Sequence, residues 1–208
     1  MFDAILFDLD GTLIDTESLA LAAGMAAFTA LGHPVDEAFM HSLVGVDLPS
    51  AGRRIAAAHP ALDTAALNSL WQQGFQAAMA NGLPLKPGVE MLLAARLLPM
   101  AIVTSSGRAE AHHKLNLTGI AGAFAHVITV DDVQAAKPAP DPYLLAAARL
   151  GVQPSRCLVF EDSETGAESA FRAGCTVVQI PDVVPSTGRW AHHLAVDLMA
   201  GARLAGLI

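Results

Sequence analysis

Ile5-Leu6-Phe7-Asp8-Leu9-Asp10-Gly11-Thr12 is an apolar run that stops on two carboxylates two positions apart. Successive side chains of a strand alternate faces, so positions i and i+2 share one, and Asp8 and Asp10 are expected to open onto the same pocket. Close carboxylates repel, so either one takes up a proton or a cation holds both. A metal-dependent phosphoryl-transfer site supplies both conditions. Read as a plain turn after a strand, the segment accounts for Gly11 and leaves the acidic pair incidental.

Beyond this segment the pattern changes. From Thr16 to about residue 81 apolar positions recur at three- and four-residue spacings, with breaks at Gly32-His33-Pro34, Gly45 to Pro49 and His59-Pro60. That region reads as helices only. After Pro84 to Gly88, short β-rich runs alternate with helical stretches: Ala101 to Thr104, Val127 to Val130, Leu158 to Glu161 and Thr176 to Ile180. Asp141-Pro142 suits a helix start, and Gly151 and Gly174 suit helix ends. Strand and helix in that rhythm make a parallel sheet covered on both faces. The expected fold is α/β, a doubly wound Rossmann-like parallel sheet (1–15 and 85–208) interrupted after its first strand by an inserted α-helical cap domain (16–84). In such sheets the site lies beyond the carboxyl ends of the strands. Asp8, Thr104, Lys137 and Glu161-Asp162 all fall at or just after such ends.

Composition narrows the function. The 208 residues suffice for one core domain, or for a core with a smaller insertion. Net charge is -8, and the 12 Lys and Arg residues are scattered, so the basic stripe that nucleic acid requires is missing. Only Cys157 and Cys175 are present, both in apolar contexts, which suits packed thiols rather than a disulfide framework. Met1-Phe2-Asp3 lacks a basic segment before an apolar stretch, and no uncharged apolar run reaches the roughly 18 residues that span a bilayer, so no membrane partner and a cytoplasmic location are expected. Lysine is scarce, with only Lys86, Lys114 and Lys137, which gives weight to any lysine in a suggestive place.

Four segments in order, Asp8-Leu9-Asp10-Gly11-Thr12, Ile102-Val103-Thr104-Ser105-Ser106, Lys137-Pro138 and Phe160-Glu161-Asp162-Ser163 with Gly166, resemble the motifs of the haloacid dehalogenase-like superfamily, in particular its phosphatase and phosphomutase members with a helical cap. The resemblance covers nearly the whole chain. It implies that Asp8 is the nucleophile, forming an aspartyl-phosphate, and that Asp10 protonates the departing oxygen and then takes a proton from water. It further implies Mg2+ held by the Asp8 side chain, the Asp10 carbonyl and Asp162, with Glu161 direct or through water. Thr104 would donate to a phosphoryl oxygen with help from the Ser105 backbone, Gly11 and Ser106 would join in binding the substrate, and Lys137 would neutralise developing charge and hold Asp8 and the acidic loop. Taken singly, Thr104 serves equally as a helix cap, Lys137-Pro138 as a surface turn and Glu161-Asp162 as acids at a helix start. Their joint occurrence after separate strands of one sheet removes that equality.

Other residues carry less. His112-His113 and His192-His193, placed on helices, would point about 100° apart and could not readily chelate one ion. Ser105-Ser106 has no nucleophile elbow. Trp71 and Phe75, four apart, suit cap core, and Asp15-Thr16 suits a hinge. Within the superfamily, Asp10 argues against dehalogenation, because a halide leaves without a proton. The absence of lysine before Leu85 argues against the phosphonate-cleaving branch. A sugar phosphomutase resembling β-phosphoglucomutase is the alternative, but Ala20 stands where that pattern has histidine, and Leu48 of Gly45-Val46-Asp47-Leu48 where it has arginine. A noncatalytic binding protein on the same fold is a second alternative. The cap carries Arg53 and Arg54 against Asp36, Glu37, Asp47 and Asp63, which favours a leaving group with little negative charge, a neutral sugar or polyol. The expected partner is a small-molecule phosphate ester, for a monomer or homodimer.

Overall fold

The first strand, β1 (Ala4–Phe7), is buried along its whole length, as an uninterrupted apolar run must be when helices cover both faces of a sheet. This computed structural model describes residues 1–44 and 48–208, so Gly45, Val46 and Asp47 of the cap segment lie outside the described residues. The remaining strands are β2 (Met100–Val103), β3 (His126–Ile128), β4 (Cys157–Glu161), β5 (Thr176–Gln179) and β6 (His193–Leu194). All pair in parallel in the order β3-β2-β1-β4-β5-β6. The chain winds outward from β1 to β3, then returns to β4 on the other side of β1. The order of winding therefore reverses between β1 and β4, where open α/β sheets place their ligands. Register puts Phe7 opposite Phe160, so Asp8 and Glu161 emerge from adjacent strand ends.

The chain divides into two compact units, Met1–Asp15 with Pro84–Ile208, and Thr16–Leu83. Pro84, expected in the insertion, belongs to the first unit, where its carbonyl accepts the Asp15 N–H at 2.9 Å.

In the first unit, one face of the sheet buries Leu6, Ala101, Val103, Val159 and Val177 with Tyr143, Ala146, Ala147, Ala167 and Ala170. Alanine on these helices lets the backbones approach closely. Phe7 also stacks on Phe160 with ring centroids 5.3 Å apart. The helices are α5 (Val89–Ala94), α6 (Arg108–Thr118), α7 (Asp141–Leu150), α8 (Glu164–Arg172) and α9 (Leu198–Leu204). Ser163 caps α8 by accepting the Gly166 N–H at 3.0 Å, and Gly151 closes α7 in the left-handed region.

The second unit is helical: α1 (Thr16–Ala30), α2 (Glu37–His41), α3 (Leu48–Ala58) and α4 (Thr64–Asn81). Asp36 and Asp63 cap α2 and α4 through the Phe39 and Ala65 N–H groups. Phe28, Met40, Ile55, Leu62 and Leu67 form its core. Among the described residues, no helix is long and apolar enough to cross a membrane.

Strand edges differ from the sequence-based expectation by one or two residues, as they do wherever fraying governs. The sixth strand was not expected. His192-His193 is not helical as predicted, because the His192 Nδ1 accepts the Val177 N–H at 3.0 Å and His193 pairs with Val178.

Candidate active site

The candidate groups come from the ends of β1, β2 and β4 and from the loop after β3. Asp8 follows β1, Thr104 follows β2, Lys137 lies on the loop between β3 and α7, and Glu161 closes β4 with Asp162 next to it. The Asp8 backbone N–H stays in the ladder, bonded to the Phe160 carbonyl at 3.0 Å, which fixes where its side chain leaves the sheet.

Lys137 organises the centre. Its ammonium donates to Asp8 Oδ1 at 2.7 Å, Glu161 Oε1 at 2.6 Å and the Val103 carbonyl at 2.8 Å, using all three of its hydrogens. Glu161 is wholly buried, and its other bonds come from the Tyr143 hydroxyl at 2.9 Å and from the Ser163 N–H and hydroxyl at 3.2 and 3.0 Å. Gly166 is needed for this arrangement, since a methyl group there would overlap the Glu161 carboxylate. Gly11 is needed for two reasons: its φ is +82°, and a Cβ would sit 2.9 Å from Asp162 Cγ.

Carboxylate oxygens of Asp8, Glu161 and Asp162 lie within 4.8 Å of one another. Burial pushes the Asp8 carboxyl up to about 8, with repulsion from Glu161 and Asp10 adding to it and Lys137 opposing. Burial also raises Asp162 well above the usual carboxylate range, again with Asp8 and Glu161 behind it. Burial works against the charge of Lys137, but Asp8 and Glu161 outweigh it and the ammonium is held more firmly than in water. Three carboxylates against one ammonium leave buried negative charge unbalanced. A cluster of hard oxygen donors with that excess fits a divalent cation such as Mg2+.

Thr104 is buried, and its Oγ1 accepts the Ser106 N–H at 3.0 Å, which leaves its own O–H to donate elsewhere. Ser105 is exposed beside it. Ser106, expected among the substrate-binding groups, also uses its hydroxyl to donate to Asp10 Oδ2 at 3.0 Å. The other Asp10 oxygen accepts from Lys114 Nζ at 2.8 Å. Lys114 and Tyr143 are the two side chains of this centre that the sequence reading did not assign. The scarcity of lysine was the one available signal for Lys114; for Tyr143 there was none.

His112 and His113 lie exposed on α6, away from these contacts. In the helical unit, Ala20, Ile55, Leu67, Asn68, Trp71 and Phe75 are among the residues lining a cavity of about 490 Å³ that carries no ionisable side chain among the described residues. The Trp71 indole N–H donates to the Ala20 carbonyl at 2.8 Å, so the ring is a wall of this cavity as well as part of the core.

A Rossmann-like sheet with a carboxylate after β1, a hydroxyl after β2, a lysine before α7 and an acidic pair after β4 defines a class of hydrolase, and comparison with known proteins supplies the family. Residues 2–174 match the model of the haloacid dehalogenase-like hydrolases. The fructose-1-phosphate phosphatase YqaB of Escherichia coli is 32% identical over 181 residues, covering 86% of this chain and 96% of that protein. Among solved structures, a haloacid dehalogenase family hydrolase from Deinococcus radiodurans with bound phosphate and sodium superposes with a TM-score of 0.84 at 29% identity, covering 99% of this chain and 95% of that one. CbbY from Rhodobacter sphaeroides in complex with phosphate gives a TM-score of 0.70 at 29% identity, covering 98% and 96%. The chain belongs to the haloacid dehalogenase-like hydrolase family, and it is an enzyme of the phosphoric monoester hydrolase class.

Proposed function

We propose that this enzyme is a cytoplasmic, Mg2+-dependent phosphatase that hydrolyses a small phosphorylated sugar or polyol through an aspartyl-phosphate on Asp8. The observation that carries the reading is the hold of Lys137 on both Asp8 and Glu161 at the reversal of the sheet's winding. Asp8 attacks phosphorus while its bond to the leaving oxygen breaks, and Asp10 hands that oxygen a proton. Water then attacks the aspartyl-phosphate, gives its proton to Asp10, and phosphate leaves Asp8. Thr104 turns its O–H toward a phosphoryl oxygen, and Lys137 keeps a positive charge beside the transferring group. The side chains of Asp8 and Asp162 and the Asp10 carbonyl would hold Mg2+, with Glu161 acting through water, because both Glu161 oxygens already accept protein hydrogen bonds. When bound, the cation balances the carboxylates, keeps Asp8 ionised and draws charge from the phosphoryl oxygens.

The neutral leaving group rests on the charge of the helical insertion, which carries Arg53 and Arg54 against Asp36, Glu37, Asp47 and Asp63. Within the helical unit, Asn68, Gln72 and Thr64 line a cavity with apolar walls, and no cation lines it among the described residues. The naming of fructose 1-phosphate in the Escherichia coli relative agrees with this class. A panel of phosphate esters with Mg2+, analysed for free phosphate and for isomerised product, tests the proposal. Singly phosphorylated sugars and polyols should turn over fastest and release phosphate. Preference for a bisphosphate, or an isomerised sugar phosphate as product, would overturn it in favour of a mutase, and no turnover of any ester would favour a binding protein.

A further inference from the structure

We propose that Lys114 is a positioning residue which, with Ser106, fixes the Asp10 carboxyl group in the orientation that delivers a proton to the leaving oxygen. The inference rests on the assignment of Asp10 as the proton donor.

Lys114 lies on α6, and its side chain is 5% exposed against 30% for Asp10. Burying an ammonium costs solvation and several rotatable bonds, so its acceptors must account for its presence. They are Asp10 Oδ1 at 2.8 Å, Glu110 Oε1 at 2.5 Å and the Ser106 hydroxyl at 3.2 Å. Lys137 already serves Asp8 and Glu161, so Lys114 is not a second support for those groups. Among the described residues, Lys114 is the ammonium paired with Asp10, and the pairing spans from the end of β1 to the middle of α6.

The hold has two points. The ammonium bonds one Asp10 oxygen and the Ser106 hydroxyl the other, while Ser106 itself accepts from Lys114. Two bonds from different directions fix the plane of the carboxyl group as well as its place. Turning Asp10 aside would leave a buried ammonium short of an acceptor, which opposes the motion. Proton transfer depends steeply on such alignment, because the donor must reach hydrogen-bond distance of the oxygen as the phosphorus–oxygen bond lengthens. Lys114 neither gives nor takes a proton in this account. Asp10 donates to the leaving oxygen in the first half of the reaction and recovers a proton from water in the second.

The consequence is selective for the leaving group. A nitrophenolate departs as a stable anion and gains little from a proton, whereas an alkoxide from a sugar or polyol must be protonated as it leaves. The parameter kcat/KM reports the steps through departure of the leaving group, so it reads this difference without the later hydrolysis. Lys114→Met should lower kcat/KM at least ~10-fold on the fastest sugar or polyol phosphate, with the full general-acid contribution of ~10²–10⁴ as the ceiling, and less than about 3-fold on 4-nitrophenyl phosphate. Asp10→Ala should show the same selectivity with a larger loss. Equal losses on both esters in Lys114→Met, with Asp10→Ala selective, would reduce Lys114 to a structural residue and overturn the proposal. No loss on either ester would overturn it as well. Should Asp10→Ala itself lower both esters equally, the assignment of Asp10 falls and takes this inference with it. If Lys114→Met does not fold, Ser106→Ala removes the other point of the hold, and the same selective loss, smaller in size, is expected; an unselective loss there contradicts the proposal.

Discussion

In the α/β unit the buried charged and polar side chains gather where strands end, while the helical unit packs Phe28, Met40, Leu67 and their neighbours around a cavity that no charged side chain lines among the described residues. Asp8, Thr104, Lys114 and Glu161 are all buried in the first unit, and among the described residues Thr16 is the one buried polar side chain of the second. Buried ions are costly unless paired, so a fold that keeps Asp8, Lys137 and Glu161 in contact retains them for chemistry rather than for stability. The helical unit obeys ordinary packing instead. Substitutions in the two units should therefore fail in different ways, one losing turnover first and the other losing stability first.

The largest effect should come from Asp8→Asn, which keeps the size of the side chain and removes the nucleophile. Phosphate release should fall at least ~10³-fold, the scale at which a covalent nucleophile contributes, with an unchanged circular dichroism spectrum. Retained turnover would break the comparison at its centre.

Lys137→Ala comes next and should harm both properties. It leaves Asp8 and Glu161 facing each other without their ammonium, so turnover should drop ~10²–10³-fold and chemical denaturation should show a loss of about 3–5 kcal/mol. A variant that is inactive yet as stable as the parent would mean the charges are solvated rather than buried.

In the helical unit, Met40→Ala should cost about 2–5 kcal/mol through the cavity it opens. Below its melting temperature the variant should keep kcat within about 3-fold, since Met40 lies in the core and does not line the cavity beside Trp71. A kcat loss comparable with that of Lys137→Ala would erase the distinction between the units.

The smallest effect concerns cation and pH. In the metal-free protein the Asp8 carboxyl sits near 8, above its unfolded value close to 4, so between those values the folded state binds more protons than the unfolded one. Its stability should fall as pH rises through that window. Mg2+ competes with the proton, so the rise in Tm on adding Mg2+ should be larger at pH 8 than at pH 6, by a few degrees, on the order of 1 kcal/mol. A rise independent of pH would place the cation away from Asp8.

What could be read from the chain follows the same division. The four main strands announce themselves because central parallel strands are mostly apolar, and Asp8, Thr104 and Glu161-Asp162 can be placed because a strand end fixes a side chain by position, whereas Lys137, on the loop between β3 and α7, is legible only through its motif with Pro138. The strand at His193–Leu194 is two residues long and partly exposed, and it is held by ladder bonds that carry no apolar pattern. Lys114 reaches the site from the middle of α6 and Tyr143 from the first turn of α7, ten and six positions past Thr104 and Lys137, where only the packing of α6 and α7 on the sheet decides which way they face. Their partners, Asp10 and Glu161, are distant in sequence, so no local spacing could have joined them.

The most direct measurement is to mix the enzyme with Mg2+ and a phosphate ester, quench in acid within the first turnovers, and locate the phosphoryl group by peptide mass spectrometry. One phosphoryl group is expected on the peptide that contains Asp8, lost on alkaline treatment and absent from Asp8→Asn. A phosphoryl group found instead on Thr104 or Ser105, or an Asp8→Asn variant that still releases phosphate at the parent rate, would contradict it.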